Sequence, residues 1–162
     1  MARVLIVGCG CRGQALAREL SAEHAVRGTS RRADRVAELE TGGTEGAVAD
    51  PDRLATIVPV LSGVSVVCWL MGTADESPEV HGARLQTLLE HLVDTPVRGL
   101  VYEAAGTVDA GLLEQGAQIV RDASATWHIR GEVVTSDPAD HEAWLGAMKE
   151  AVERTLSTFY RS

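Results

Sequence analysis

Lysine is nearly missing from this chain of 162 residues: Lys149 is the only lysine among 15 basic residues. Acidic residues are more numerous, and the formal net charge is −8 at neutral pH. This excess of negative charge argues against nucleic acid and against an acidic membrane surface as partners, because both attract basic proteins. The rarity of lysine also restricts any catalysis that depends on a lysine side chain.

Cysteines and long apolar runs are scarce as well. Cys9, Cys11 and Cys68 form no disulfide framework and no zinc-type spacing, and the five histidines match no metal-binding motif, so no metal is predicted. No apolar run approaches the roughly 18 residues that cross a membrane. The first predicted strand begins at Arg3, which leaves no room for a signal peptide. We therefore expect a cytoplasmic protein with no membrane partner, folded as one domain over residues 1–162.

The most informative feature that is present is a glycine loop near the start of the chain. In residues 4–20, VLIVGCGCRGQALAREL, an apolar strand leads directly into Gly8-x-Gly10-x-x-Gly13, and a helical pattern follows. This context is that of a dinucleotide-binding fingerprint, in which the helix N-terminus faces a diphosphate. A glycine-rich turn that binds nothing is the alternative. The candidate diphosphate site comprises Gly8, Cys9, Gly10, Cys11, Arg12 and Gly13.

Short apolar runs alternate with helical patterns along the whole chain, which is typical of a parallel sheet with helices on both faces. The pattern predicts strands at 3–7, 24–29, 46–50, 64–71, 97–102 and 127–135. It predicts helices at 12–22, 33–39, 52–61, 80–93, 109–124 and 140–160. We predict an α/β, doubly wound Rossmann-type fold with strand order 3-2-1-4-5-6, whose ligands bind at the carboxyl edge of the sheet.

The end of the second strand bears on which dinucleotide is bound. An NAD-binding fold usually carries an acidic residue there, which holds the ribose 2′-hydroxyl. This chain has Ser30, Arg31 and Arg32 instead, and no acidic residue before Asp34. Because guanidinium groups grip a 2′-phosphate and a serine adds a donor, we predict NADP rather than NAD. The alternative is that the two arginines simply form a solvated helix start.

These stretches together resemble an atypical short-chain dehydrogenase/reductase with nucleotide-sugar-epimerase-like topology. The resemblance covers GCGCRG at 8–13, VRGTSR at 26–31, GAVADP at 46–51 and VVCWLMG at 66–72. It implies that Asp50 meets the adenine amino group and that Met71 and Gly72 lie along the cofactor. For Asp50, a helix cap beside Pro51 is the alternative.

The family's catalytic residues are missing. Its chemistry needs a tyrosine with a lysine four residues later, because the lysine lowers the pKa of the tyrosine that carries the proton. Neither of the two tyrosines has such a lysine: Tyr102, for example, is followed four places on by Gly106. Alanines 104 and 105 stand where the family places serines.

Other groups after the fifth strand offer a substitute. Glu103 and Asp109 are candidates for acid and base and Thr107 for a hydroxyl, or all three are ordinary loop residues. His81, after the fourth strand, either faces the cofactor or lies on the surface at a helix start. We therefore expect an NADP-binding protein that is an atypical reductase of unknown small-molecule substrate. The alternatives are a non-catalytic sensing module and a component completed by another chain, and the terminal helix leaves a homodimer open.

Overall fold

Six parallel strands form one sheet in the computed structural model, which describes residues 2–157. Their order is β3-β2-β1-β4-β5-β6, which confirms the predicted order and the Rossmann-type α/β fold. The strands are β1 (Arg3–Val7), β2 (Ala25–Ser30), β3 (Glu45–Val48), β4 (Val66–Trp69), β5 (Gly99–Glu103) and β6 (Arg130–Val134).

Helices connect the strands and cover both faces of the sheet. They are α1 (Cys11–Leu20), α2 (Ala33–Thr41), α3 (Leu54–Ile57), α4 (Ala83–Leu92), α5 (Ala110–Trp127) and α6 (His141–Leu156). Two predicted helices are shorter than expected. Residues 52–61 form α3 and then a 3₁₀ turn, Val58–Leu61, that contains a proline. Residues 80–93 are interrupted because the backbone of Gly82 is not helical, which leaves a separate 3₁₀ turn at Pro78–His81. The predicted helical residues 158–160 lie outside the described range.

The core consists of two layers, one on each face of the sheet. Alternate residues of β1 and β4 point to opposite faces, so Leu5 and Trp69 pack with α4 and α5. Ile6 and Cys68 pack with α1 and α6 on the other face. Residues 4–7 of β1 and all of β4 are fully buried, and this explains why these residues form continuous apolar runs rather than alternating ones. Within residues 2–157, no helix combines the length and apolarity needed to cross a bilayer.

The strand order determines where a ligand can bind. β1 pairs with β2 on one side and with β4 on the other. The strands that follow β1 are therefore added first on one side of it (β2 and β3) and then on the other (β4, β5 and β6). Loops that leave the carboxyl ends of these strands diverge at this point and open a crevice. The loop after β1 is the glycine loop, and it stands at the centre of that crevice.

Candidate functional site

The glycine loop after β1 forms a tight turn with an uncovered tip. Gly8 has a φ of +83°, and a Cβ there would lie 2.7 Å from the carbonyl oxygen of Leu70, so both the turn and its neighbour require glycine. Gly10 occupies the N-cap position of α1, and no atom lies within 4 Å of where its Cβ would stand. The space in front of Gly10 is therefore open to a ligand that approaches the N-terminus of α1.

A cavity of about 320 Å³ begins at this loop and extends over the ends of β1, β2 and β4. Its wall contains four arginines and a single acidic residue, Glu76, although acidic residues outnumber basic ones in the chain as a whole. The lining of the cavity is therefore rich in guanidinium groups, although the protein as a whole is acidic. The arginines are Arg12, Arg31, Arg32 and Arg35.

Most of the predicted cofactor residues line this cavity. Those that do so are Gly8, Cys9, Gly10, Arg12, Ser30, Arg31, Arg32 and Met71. Four others do not line it: Cys11 is exposed, Gly13 packs against Cys9 beneath the loop, Gly72 faces the loop after β5, and Asp50 closes a turn. The carboxylate of Asp50 accepts a hydrogen bond from the amide of Asp52 at 2.9 Å, which is a local capping contact.

Other cavity residues were not predicted from the sequence. Arg35 lies one helical turn after Arg31 and Arg32, so the spacing of α2 was a signal that could have revealed it. The loop after β4 gave no comparable signal. The additional lining residues are Thr29, Arg35, Ala49, Pro51, Leu70, Thr73, Ala74 and Glu76.

All four arginines of the cavity already face carboxylates: Arg12 pairs with Glu103, and Nη1 of Arg35 lies 3.8 Å from Oε2 of Glu38. The Nε of Arg31 lies 3.1 Å from Oε2 of Glu76 across the cavity. Arg32 contacts Asp34 with both Nε (3.1 Å) and Nη2 (2.7 Å), and this pairing lowers the pKa of Asp34. The hydroxyl of Ser30 accepts a hydrogen bond from the amide of Arg32. Ser30, Arg31 and Arg32 lie where β2 ends and α2 begins, so an anion bound there would meet several donors.

Cys9 contributes to packing rather than to reactivity. It is 2% exposed, and a Cβ on Gly28 would lie 2.9 Å from its sulfur atom. Burial raises the pKa of the Cys9 thiol to about 12, so the thiolate needed for nucleophilic or metal chemistry is disfavoured. The thiol fills the narrow space between the glycine loop and β2.

Glu103, a predicted acid or base, is fully buried at the end of β5. Its two oxygens accept hydrogen bonds from the guanidinium of Arg12, the amide of Gly72 (2.9 Å) and the indole nitrogen of Trp144 (2.9 Å). The Arg12 guanidinium also lies over the ring of Trp144, 5.6 Å from its centre. The carboxylate thus joins α1, the loop after β4 and α6.

The other two catalytic candidates lie outside the cavity. Asp109 is the N-cap of α5, where its carboxylate accepts hydrogen bonds from the amides of Gly111 and Leu112. Thr107 is exposed in the loop before that helix. A catalytic role for Glu103, Asp109 or Thr107 remains a prediction.

The loops after β4 and β5 lie directly against each other. The amide of Val108 donates to the carbonyl oxygen of Gly72 at 3.0 Å. A Cβ on Gly72 would overlap the carbonyl of Ala105, and a Cβ on Gly106 would overlap Gly72. Glycine at both positions lets two backbones touch, so protein fills the space between the ends of β4 and β5.

A buried histidine–tyrosine pair lies close to this contact. Nδ1 of His81 and the hydroxyl of Tyr102 are 2.6 Å apart, and both side chains are buried. Burial lowers the pKa of His81 and raises that of Tyr102. The expectation of a surface position for His81 is wrong, because the residue is 2% exposed. Neither His81 nor Tyr102 lines the cavity, and a contact of His81 with a cofactor stays a prediction.

One group of possible metal ligands occurs in the described part of the chain, away from the cavity. Ligand atoms of Glu23, His24 and Glu153 lie within 4.8 Å of one another. Within this group Nε2 of His24 is 2.8 Å from a carboxylate oxygen of Glu153. This contact links α6 to the start of β2.

Comparisons with known proteins identify the fold. No protein-family model matches the chain, and no curated protein matches it by sequence. Among solved structures it is similar to a UDP-glucuronic acid 4-epimerase from Bacillus cereus in complex with NAD, with a TM-score of 0.65 and 13% identity over 82% of this chain and 56% of that one. It is also similar to a Citrobacter sp. triphenylmethane reductase complexed with NADP(H), with a TM-score of 0.66 and 15% identity over 83% and 49% of the two chains.

A UDP-glucose 4-epimerase from Thermotoga maritima gives a TM-score of 0.67 at 12% identity, over 82% of this chain and 54% of that one. The chain therefore spans about half the length of these three proteins. The resemblance inferred from the sequence is confirmed at the level of the fold. This chain has the Rossmann-type fold that these two epimerases and this reductase share.

Proposed function

We propose that the chain binds NADP(H) in the arginine-lined cavity. The observation that carries this proposal is that four arginines and one carboxylate line the cavity of a chain whose net charge is −8. Guanidinium groups bind phosphates through paired hydrogen bonds, and such pairs are stronger than neutral ones. The 2′-phosphate is assigned to Arg31 and Arg32, at the end of β2.

The glycine loop supports the diphosphate half of the proposal. At Gly10 the space in front of α1 is open, and the N-terminal amides of that helix carry a partial positive charge. The Bacillus cereus epimerase is in complex with NAD and the Citrobacter reductase with NADP(H). Both complexes support a nicotinamide dinucleotide, and the choice of NADP rests on the arginines of this chain.

Reduction of a small molecule is the first candidate activity. When bound, NADPH supplies a hydride to a substrate carbon. The proton is assigned to Thr107, Asp109 or Glu103 or to water, because no tyrosine of the chain is followed four residues later by a lysine.

A non-catalytic module that responds to NADP(H) is the second candidate. It is favoured by the occupied carboxylate of Glu103 and by the contact between Gly72 and the loop after β5, since both leave little room for a substrate there. Turnover of NADPH with a panel of aldehydes, ketones and quinones separates the two candidates. Oxidation of NADPH supports the reductase, and tight binding without oxidation supports the module.

Calorimetric titration with NADPH and NADH tests the binding proposal. We expect Arg31→Asp combined with Arg32→Ala to weaken NADPH binding by about 1–3 kcal/mol, the scale of hydrogen bonds to charged groups, and to affect NADH less. The matched control, Arg18→Asp with Arg121→Ala, makes the same change in net charge at two exposed positions outside the cavity. Equal affinities of the wild-type protein for NADPH and NADH would contradict the assignment of the 2′-phosphate.

A further inference from the structure

We propose that Glu76 reduces the preference for NADP over NAD, by competing with a 2′-phosphate for the guanidinium of Arg31. This inference rests on the proposed binding of NADP(H) in the cavity. Glu76 lies in the loop between β4 and the 3₁₀ turn at Pro78–His81. It is therefore more than 40 positions away in sequence from the end of β2, where an acidic specificity residue was expected and is missing.

The geometry places Glu76 beside the predicted phosphate position. It is the one acidic residue among those that line the cavity, and its side chain is only 8% exposed. Its Oε2 lies 3.1 Å from Nε of Arg31, whose side chain is 52% exposed. The Nη2 of the same arginine donates to the carbonyl oxygen of Asp75 at 3.4 Å. Arg31 thus spans from the end of β2 to the loop after β4.

The surroundings of Glu76 make its partner exchangeable. Loss of solvent is the main reason that its pKa is raised, and the nearby carboxylates of Asp50, Asp52 and Asp75 act in the same direction. Arg31 is the one neighbouring group that lowers this pKa. A 2′-phosphate would bring more negative charge and more acceptor oxygens to the same guanidinium than a single carboxylate does.

Two bound states then follow. With NAD, which has no 2′-phosphate, Arg31 keeps its contact with Glu76. With NADP, the 2′-phosphate binds the guanidinium of Arg31, and Glu76 loses this contact. Its carboxylate then lies in a pocket that disfavours the charged form. Arg32 adds less discrimination, because its partner Asp34 is an exposed residue two positions further on, in the first turn of α2, and exposed ion pairs contribute little. Glu76 therefore reduces the advantage that NADP would otherwise have over NAD.

Titration with 2′,5′-ADP and 5′-ADP tests this directly, because the first ligand carries a phosphate at the 2′ position and the second does not. We expect Glu76→Gln to tighten 2′,5′-ADP binding about threefold to tenfold, as expected for releasing one partly screened charge-assisted contact. Binding of 5′-ADP should change less than about twofold, because it has no group that takes Arg31. Asp75→Asn is the matched control, since it removes the same charge from the neighbouring residue, which contacts Arg31 through its backbone carbonyl.

A double-mutant cycle makes the test specific to the Arg31 contact. In an Arg31→Ala background, Glu76→Gln should no longer tighten 2′,5′-ADP. The inference is overturned if Glu76→Gln leaves the ratio of the two affinities unchanged, if it weakens both ligands equally, or if Asp75→Asn reproduces its effect. Each of these results would leave the proposed function intact, because the wild-type protein would still bind 2′,5′-ADP. Failure of the wild-type protein to bind either nucleotide would instead overturn the proposed function itself.

Discussion

The two halves of the carboxyl edge of the sheet are built in opposite ways. The loops after β1 and β2 and part of the loop after β4 surround a cavity with four arginines in its wall, whereas Gly72 of the loop after β4 lies against the loop after β5. Glycine is required in both halves for opposite reasons. Gly10 leaves space for a ligand in front of α1, whereas Gly72 allows the backbone of the loop after β5 to lie directly against it. The carboxyl end of a strand in such a sheet therefore indicates a ligand site only where its loop and the loop of the adjacent strand are not in contact.

The acidic residues of the two halves differ in the same way. Glu103 is fully buried, and protein donors from three separate elements surround both of its oxygens. Glu76 faces a single half-exposed arginine across the cavity. The first carboxylate is fixed by the fold, and the second can exchange its partner for a ligand. This difference favours a structural role for Glu103 and a binding role for Glu76.

The largest expected effect concerns Glu103. Glu103→Ala leaves the Arg12 guanidinium, the Gly72 amide and the Trp144 indole without their acceptor. Because removing one member of a buried ion pair is strongly destabilising, the free energy of unfolding should fall by about 3–5 kcal/mol in urea titrations. As a control, the exposed Glu114→Ala should change it by less than about 0.5 kcal/mol. Unchanged stability, with loss of NADPH turnover alone, would show that Glu103 is catalytic instead.

The next effect concerns the glycine loop. Gly10→Ala should fold normally, because no atom lies within 4 Å of the added methyl group, yet the methyl would stand in the path of the diphosphate. We expect NADPH affinity to fall by roughly tenfold or more, which corresponds to about 1.4 kcal/mol. Gly8→Ala is the informative contrast, since its positive φ and its approach to Leu70 should lower thermal stability as well. Undiminished NADPH binding by Gly10→Ala would place the diphosphate elsewhere.

The smallest effect is a pH dependence that arises in the closed half. Burial lowers the pKa of His81 in the folded protein, so the unfolded chain takes up the proton first as the pH falls. Stability should therefore decrease as the pH drops below about 6.5, the ordinary value for histidine. In His81→Gln the loss of stability between about pH 7.5 and 5.5 should be shallower, while the exposed His91→Gln should match the wild type. Identical slopes for all three proteins would rule out this source of acid sensitivity.

The parts of the fold with a regular sequence period could be predicted from the sequence. β1 was expected at residues 3–7 and is found at Arg3–Val7, because a strand buried on both faces must be a continuous apolar run. The arginines at the end of β2 could be placed because they follow a recognisable strand and precede a helix. The break at Gly82 was missed, since the apolar pattern of residues 80–93 continues across it.

The rest of the site depends on contacts between distant segments, which periodicity does not record. Glu76 lies in a loop without a repeating pattern, and only the folding of that loop brings it to Arg31. The donors to Glu103 come from α1, the loop after β4 and α6, so the sequence could place this residue at the sheet edge but could not show that its oxygens are occupied. His81 was missed in the same way, because its partner Tyr102 lies on β5, about twenty residues further along the chain.

A crystal structure of the chain grown with millimolar NADP⁺ would show the proposed binding mode without an intermediate assumption. We predict a diphosphate against the amides at the start of α1 and a 2′-phosphate within hydrogen-bonding distance of Arg31 or Arg32. A glycine loop filled by side chains, with no adenine nucleotide in the cavity, would contradict it.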